Sequence, residues 1–586
     1  MHASRFSIGL LLLAISAGNP AGFSQTRNAT SAASSEYRTG ITAMQRGDMS
    51  LARAAFEKAV RLNPRSADAQ NMLGQVLLQQ GNLDDAIVHF RSVIQLRPNL
   101  AVAHAYLAQA LQAKGLADEE VAELRRAAEL APKQWRAHEA LGRALDSQGK
   151  PEEAIAEFTI ATRLAPQQVE LHDELGSLLA QQLRYPAAER EFRSALKLNP
   201  EYELSHLHLG VTLSSEGEQK EAEEELHRAV KLDPKDATAW YYLGIACEAQ
   251  GNPDEALSSY QQAATLRPDL VPAQTRLGLL AQRRGDPERA VDAFREVVNL
   301  TPSDPEAHNN LALALLQQGD ADGAIKEFQQ AIRLRPDDSG FQGNLGTAYL
   351  QKTDFDDAIL QFRTALKLDP QKASLHHDLA LALKLKDDLP GAIAEWKEAI
   401  RLDPKLADAH YSLGVTLWQS GDFPAAAEQL RETTQIQPNY AEAYYTLGTV
   451  LKQMDKLPEA EAALREAIGL EPDFAGAHTT LAAVLRQLGD TTEAAAESKA
   501  GAEIAKEKTN LQAATFATNS GRRLLTAGDL DGAISQFHTA LQAVPTYAMA
   551  HYELGLALRQ KGQKQESDEE FRKAAELDAH LKPPAQ

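Results

Sequence analysis

A single cysteine, Cys247, stands in 586 residues, so no disulfide can form within the chain. Aromatic residues make up only 6% against 44% apolar in all. The apolar content is therefore carried by small and straight-chain side chains, which helices accept at low entropic cost. Basic residues are outnumbered, 60 against 81 acids, and the net charge of -21 argues against a nucleic-acid partner, whose phosphates it would repel. No apolar run exceeds residues 6–17, too short for a membrane span of about 20 residues. A phosphate-cradling glycine loop, a His-Glu-x-x-His helix and a complete calcium loop are also missing. Two calcium-loop fragments, Asp320-x-Asp322-Gly323 and Asp529-x-Asp531-Gly532, fall where helix caps are expected. No catalytic residue, cofactor or metal site is expected.

The first 24 residues differ from the rest. Arg5 gives a positive start, the apolar stretch 6–17 follows with Leu10 to Leu13 at its centre, and Gly22-Phe23-Ser24 places small side chains where a signal peptidase reads. This is the layout of a secretory signal peptide over 1–24, followed by a linker over 25–32. The expectation is a secreted or periplasmic protein of the bacterial envelope, with no membrane span after cleavage.

What the chain does have is a period. Prolines stand at 64, 98, 132, 166, 200, 234, 268, 302, 336, 370, 404, 438 and 472, each step 34 residues. With proline as position 32 of a unit, position 8 is glycine or alanine (Gly74, Ala108, Gly142, Gly176) and position 20 is alanine (Ala52, Ala86, Ala154). Position 24 is aromatic or leucine (Phe56, Phe90, Leu124, Tyr260, Trp396). Apolar residues at positions 3, 7, 8 and 11, and again at 20, 24, 27 and 28, predict two amphipathic helices per unit. Glycine followed by Asp or Asn, as in Gly47-Asp48 and Gly319-Asp320, closes the first helix and caps the second. Small residues at 8 and 20 let the helices cross closely, and the position-24 aromatic is expected to fill the gap toward the next unit. Such hairpins cannot fold singly and must stack.

The pattern resembles the tetratricopeptide repeat family. Trp240-x-x-Leu243-Gly244-x-x-Cys247, then Ala256-x-x-x-Tyr260 and Pro268, follows the family spacing, with cysteine in place of the first tyrosine. The resemblance covers 33–508 as fourteen units and 514–581 as two more, the last a polar cap, ahead of a tail over 582–586. It implies an all-α fold, a right-handed superhelical solenoid. The phase breaks near 506–513. Lys506 replaces proline, residues 509–513 are extra, and no proline occurs from Thr491 to Leu525, so one long helix is expected there.

Nine histidines share position 4: His104, His138, His172, His206, His308, His376, His410, His478 and His551. Neighbours in that series stand a full unit apart, roughly 10 Å at ordinary helix spacing. That is too far to share a metal whose bonds are about 2 Å. The family keeps tryptophan there, so packing is the expected role, and Cys247 reads as core. In the family, positions 2, 5, 9 and 12 face the concave side. Carried over, this gives a protein-binding groove of Lys384, Tyr411, Trp418, Tyr445, Lys452, Arg486, Arg522, Tyr552 and Arg559. Aromatics beside arginine and lysine suit an extended acidic or carboxylate-bearing protein segment. Two grooves known in the family do not carry over, since no unit has lysine at position 5 and only Asn310 and Asn344 form adjacent asparagine rungs. The resemblance implies a non-catalytic protein-protein interaction scaffold. The alternative is a periplasmic component of a polysaccharide or protein export machine.

Overall fold

The computed structural model describes residues 29–581. The expected signal peptide and the tail 582–586 lie outside the described residues. Among those described there are thirty-one helices and no strand, grouped into two compact units that divide after Arg284.

In the first unit, helices of 13 or 14 residues pair into antiparallel hairpins, as Ala67–Gln79 does with Leu83–Leu96 and Ala237–Ala249 with Pro253–Leu266. The turn chemistry is as the sequence dictates. Gly81, Gly115 and Gly251 end their helices in the left-handed region, at φ 78°, 77° and 80°. Asp48 then accepts the Leu51 amide at 3.0 Å to start the next helix. The close crossing is equally visible. A Cβ on Gly74 would lie 2.6 Å from the Phe90 ring, and one on Gly244 would lie 2.5 Å from Tyr260. Alanines 52, 86, 154, 188, 222 and 256 are all fully buried. The position-24 aromatic serves both sides. Phe90 covers the glycine of its own hairpin and stacks on Tyr106 of the next, ring centres 5.7 Å apart.

The second unit repeats this construction from Pro287–Leu300 onward. The calcium-loop fragments are caps: Asp320 accepts the Gly323 amide at 2.9 Å, and Asp529 the Gly532 amide at 3.0 Å. The remaining acids of those fragments bind lysines, Asp322 to Lys352 at 2.9 Å and Asp531 to Lys561 at 2.5 Å. One helix is exceptional. Thr491–Thr526 runs unbroken for 36 residues, packs on Ala475–Leu488 along its first part, and on Leu530–Ala543 along its last. With no proline to stop it and no glycine turn near 506–513, backbone hydrogen bonding continues through the extra residues.

Candidate functional site

The histidines at position 4 occupy a built slot. His104 Nε2 lies 3.0 Å from the carbonyl of Pro98, and its Nδ1 lies 2.6 Å from the Glu123 carboxylate. The same pair of contacts recurs at His138, His172, His206, His308, His376, His478 and His551, each reaching the glutamate nineteen residues on and the proline six residues back. The ninth, His410, meets Gln429 instead. Position 23 is glutamate in these eight hairpins and in no other, so the two positions act as one unit. Trp240 shows the simpler version: its indole N–H donates to the Pro234 carbonyl at 3.0 Å, and position 23 there is Ser259. Carboxylate and carbonyl are both acceptors, so the slot suits an imidazolium, which donates from both nitrogens. The hydrogen bond that Glu191 accepts raises the His172 pKa against the opposing effect of burial, with the Pro166 carbonyl assisting. At His206 burial is the largest influence and lowers the value, but the bonds to Glu225 and Pro200 outweigh it and the pKa is raised.

The nine groove residues expected from the sequence all lie in the second unit, on the first helices of their hairpins or the last part of Thr491–Thr526. Their circumstances differ. Arg522 donates to Glu553 at 2.6 Å. Arg559 lies 4.7 Å over the Phe571 ring and 3.7 Å from Asp568, and Tyr552 also packs on Phe571, centres 5.5 Å apart. Lys384 sits 6.0 Å over Trp396, and burial lowers its pKa. Tyr411 and Tyr445 pack on Tyr440 and Phe474, with ring centres 4.9 and 4.8 Å apart. Trp418 donates to Gln453 at 2.7 Å, bridging adjacent hairpins. Lys452 and Arg486, both at position 12, form no ion pair among the described residues, although Lys452 is half-buried. Arg143 binds Glu139 at 2.8 Å and also Glu174, while buried Asp173 accepts from Ser205 at 2.6 Å.

The sequence reading missed a recess in the first unit. A cavity of about 350 Å³ opens between Ala101–Lys114, Ala117–Leu130 and the start of Trp135–Ser147, lined by Ala105, Tyr106, Gln109, Glu120, Leu124 and Ala137 among others. Its origin is legible in hindsight. This hairpin has Leu124 at position 24, a smaller side chain than the rings that fill that place in most hairpins, although Leu226, Leu430 and Leu464 share it. It also has Glu120 where others have the crossing alanine. Glu120 is 6% exposed, has no side-chain partner among the described residues, and burial raises its pKa. Cys247 is core, fully buried, as expected. Burial first, then the Glu255 and Glu223 carboxylates, push its thiol up to about 12.

Among the described residues no helix is long and apolar enough to cross a membrane. Comparison with known proteins places the chain by its repeats. A family model described as tetratricopeptide repeat matches residues 37–101, 107–169, 275–339, 445–505 and 518–581. Further tetratricopeptide repeat models match 235–303, 315–384 and 417–468. No curated protein matches. Among solved structures, yeast Tom70 is 18% identical, with 72% of this chain and 96% of that chain covered and a TM-score of 0.37. A structure of MamA protein is 26% identical over 29% of this chain and 92% of that one, TM-score 0.27. The Cut9-Hcn1 hetero-tetramer of APC/C is 14% identical over 91% and 97%, TM-score 0.31. Family matches spread over more than half of the residues, on hairpins of the matching period, make this chain a member of the tetratricopeptide repeat family.

Proposed function

We propose that the chain is a non-catalytic scaffold of the cell envelope that holds an extended acidic or carboxylate-bearing protein segment along the first helices between residues 377 and 560. The observation that carries this reading is the state of its charges. Among the groove cations Arg522 and Arg559 are held in ion pairs, whereas Lys452 and Arg486 form none among the described residues and stand at the same register position of consecutive hairpins, with Tyr445 on the Lys452 helix and Trp418 at that same position one hairpin earlier. Cations free of intramolecular partners and flanked by half-buried aromatics suit carboxylate recognition, where charge gives orientation and rate while the rings give contact area. The family's general role in binding proteins supports the reading. The envelope location rests on the layout of residues 1–24.

The test is cross-linking and affinity purification from the native cell, followed by charge reversal of Lys452 and Arg486 together. The expected outcome is at least a tenfold loss of affinity for the recovered partner, with a reduced dependence on salt. Binding unchanged by the double reversal would retire the groove.

A further inference from the structure

An ion-pair triangle recurs in the chain. Arg193 lies between two carboxylates, Glu189 one turn back at 2.7 Å and Glu221 of the next hairpin at 2.7 Å. Arg465 lies between Glu461 and Glu493 in the same way, each at 2.8 Å. The spacing is four residues back and twenty-eight forward, and the first-helix position that follows each arginine by twenty residues is leucine, Leu213 and Leu485. A third copy has the same spacing with different chemistry. Glu223, His227 and Glu255 take the three corners, with His227 Nε2 at 3.8 Å from Glu223 and 3.2 Å from Glu255. The leucine position is Cys247, the one cysteine of the chain. Both departures from the pattern, imidazole for guanidinium and thiol for isobutyl, converge on one point, and all four donor atoms lie within 4.8 Å of one another.

The substitution has an electrostatic consequence. In the two arginine copies a permanent positive charge separates the carboxylates. An imidazole carries no permanent charge, so the third copy brings two carboxylates together without a fixed cation. We propose that Glu223, His227, Cys247 and Glu255 bind a zinc-class divalent cation, which takes the place of the guanidinium and staples the hairpin Glu203–Glu216/Gln219–Leu232 to the hairpin Ala237–Ala249/Pro253–Leu266.

The geometry allows it. A tetrahedron with an edge of 4.8 Å has its centre about 2.9 Å from each corner, so shifts of under about 1 Å per donor reach the roughly 2.0–2.3 Å of zinc bonds. Glu223 and His227 are one turn apart on a single helix, Cys247 comes from the next helix, and Glu255 from the first turn of the one after. Thiolate and imidazole select zinc, cobalt and their neighbours over calcium and magnesium, which prefer all-oxygen shells. The thiol lies inside the interface, out of water, which favours a structural site over an exchangeable surface one. The ligands are scattered over 33 residues with none of the close His and Cys pairings of metal motifs, which is why no metal is expected from sequence. This inference is independent of the groove.

The experiment is cobalt titration of the purified, metal-stripped full chain, read by absorption and with zinc as competitor. One cobalt per chain is expected, with tetrahedral d–d bands and a near-ultraviolet thiolate-to-cobalt charge-transfer band, both erased by one equivalent of zinc and untouched by magnesium. Cys247→Ser should remove the charge-transfer band and weaken cobalt binding at least tenfold. His227→Arg, which rebuilds the arginine triangle, should keep the helical circular dichroism and lose the band. Cobalt uptake without a thiolate band, or a band that survives in Cys247→Ser or His227→Arg, overturns the assignment.

Discussion

Two hairpins of the first unit share a register and a turn, yet differ at four positions that hold a hairpin together. In Ala237–Ala249/Pro253–Leu266, Gly244 meets the ring of Tyr260, Ala256 forms the crossing, and the Trp240 indole closes the slot with a permanent donor. In Ala101–Lys114/Ala117–Leu130, Ala108 faces Leu124, an unpaired carboxyl of Glu120 stands at the crossing, and the slot holds His104 with Glu123. Both form, and both end their first helix at a left-handed glycine. The difference teaches that the turn and the apolar stripe specify the hairpin, while positions 4, 8, 20 and 24 set how tightly it is held and what it responds to. Stability in a stack of this kind is a sum of local terms. Comparisons should therefore be read by hydrogen exchange of the individual hairpin rather than from one melting curve.

The largest expected effect breaks the tight hairpin. With only 2.5 Å between a Gly244 Cβ and Tyr260, Gly244→Leu overpacks the crossing and should cost about 1–3 kcal/mol in local opening free energy. Ala108→Leu in the loose hairpin should cost clearly less, because the adjoining 350 Å³ recess can take the added carbons. Equal losses at the two sites would mean that the recess is not available to them.

The next prediction tightens the loose hairpin. Glu120→Ala restores the residue found at this crossing elsewhere and removes a buried carboxyl that has no partner, a gain of about 1 kcal/mol near neutral pH. The sign with pH follows from burial raising its pKa above the ordinary 4.5. Below 4.5 the carboxyl is protonated whether the chain is folded or unfolded, and Glu120 carries no ionic penalty. As pH rises, the unfolded chain ionises first and native stability falls until the raised folded value is passed. The advantage of the alanine variant should therefore shrink on acidification, and a constant gap from pH 4 to 7 would contradict the burial argument.

Legibility in the sequence followed periodicity. The proline step, the glycine turns and the small residues at 8 and 20 predict hairpins at the observed places, and the missing proline predicts the long helix Thr491–Thr526. Those features act within one unit of 34 residues and leave a local mark. What the sequence hid lies between units. The His–Glu pairs are nineteen residues apart and their proline partner belongs to the preceding hairpin, so each histidine read alone resembles packing. The recess coincides with Glu120, the one charged residue at a crossing of small residues, beside a leucine that three other hairpins also carry, so neither position announces a cavity when read alone. The groove residues were carried over from a family rule, and only geometry separates Arg522, already bound to Glu553, from Lys452 and Arg486.

The smallest predicted effect sharpens the contrast between the two kinds of slot. His206 bridges Glu225 and the Pro200 carbonyl, with Arg228 also bonded to Glu225 at 2.7 Å. Its pKa is raised, and the sign is opposite to a buried unpaired base. Below the ordinary histidine value of 6.5, folded and unfolded chains both hold the proton and the bridge contributes in full. As pH rises through 6.5 the unfolded chain releases its proton first, and the contribution is lost as the pH passes the raised folded value. Replacing the pair by His206→Trp with Glu225→Ser copies the Trp240 and Ser259 slot, whose donor does not titrate. The hairpin Glu203–Glu216/Gln219–Leu232 should then lose the part of its exchange protection that varies between pH 6 and 8, while keeping protection at the alkaline end. Because the bridge joins this hairpin to the proline of the one before, the expected effect in the native chain is a junction between these two hairpins that loosens as the pH rises. An unaltered pH profile in the double variant would show that the imidazole is neutral in the fold and that the slot is held by shape alone.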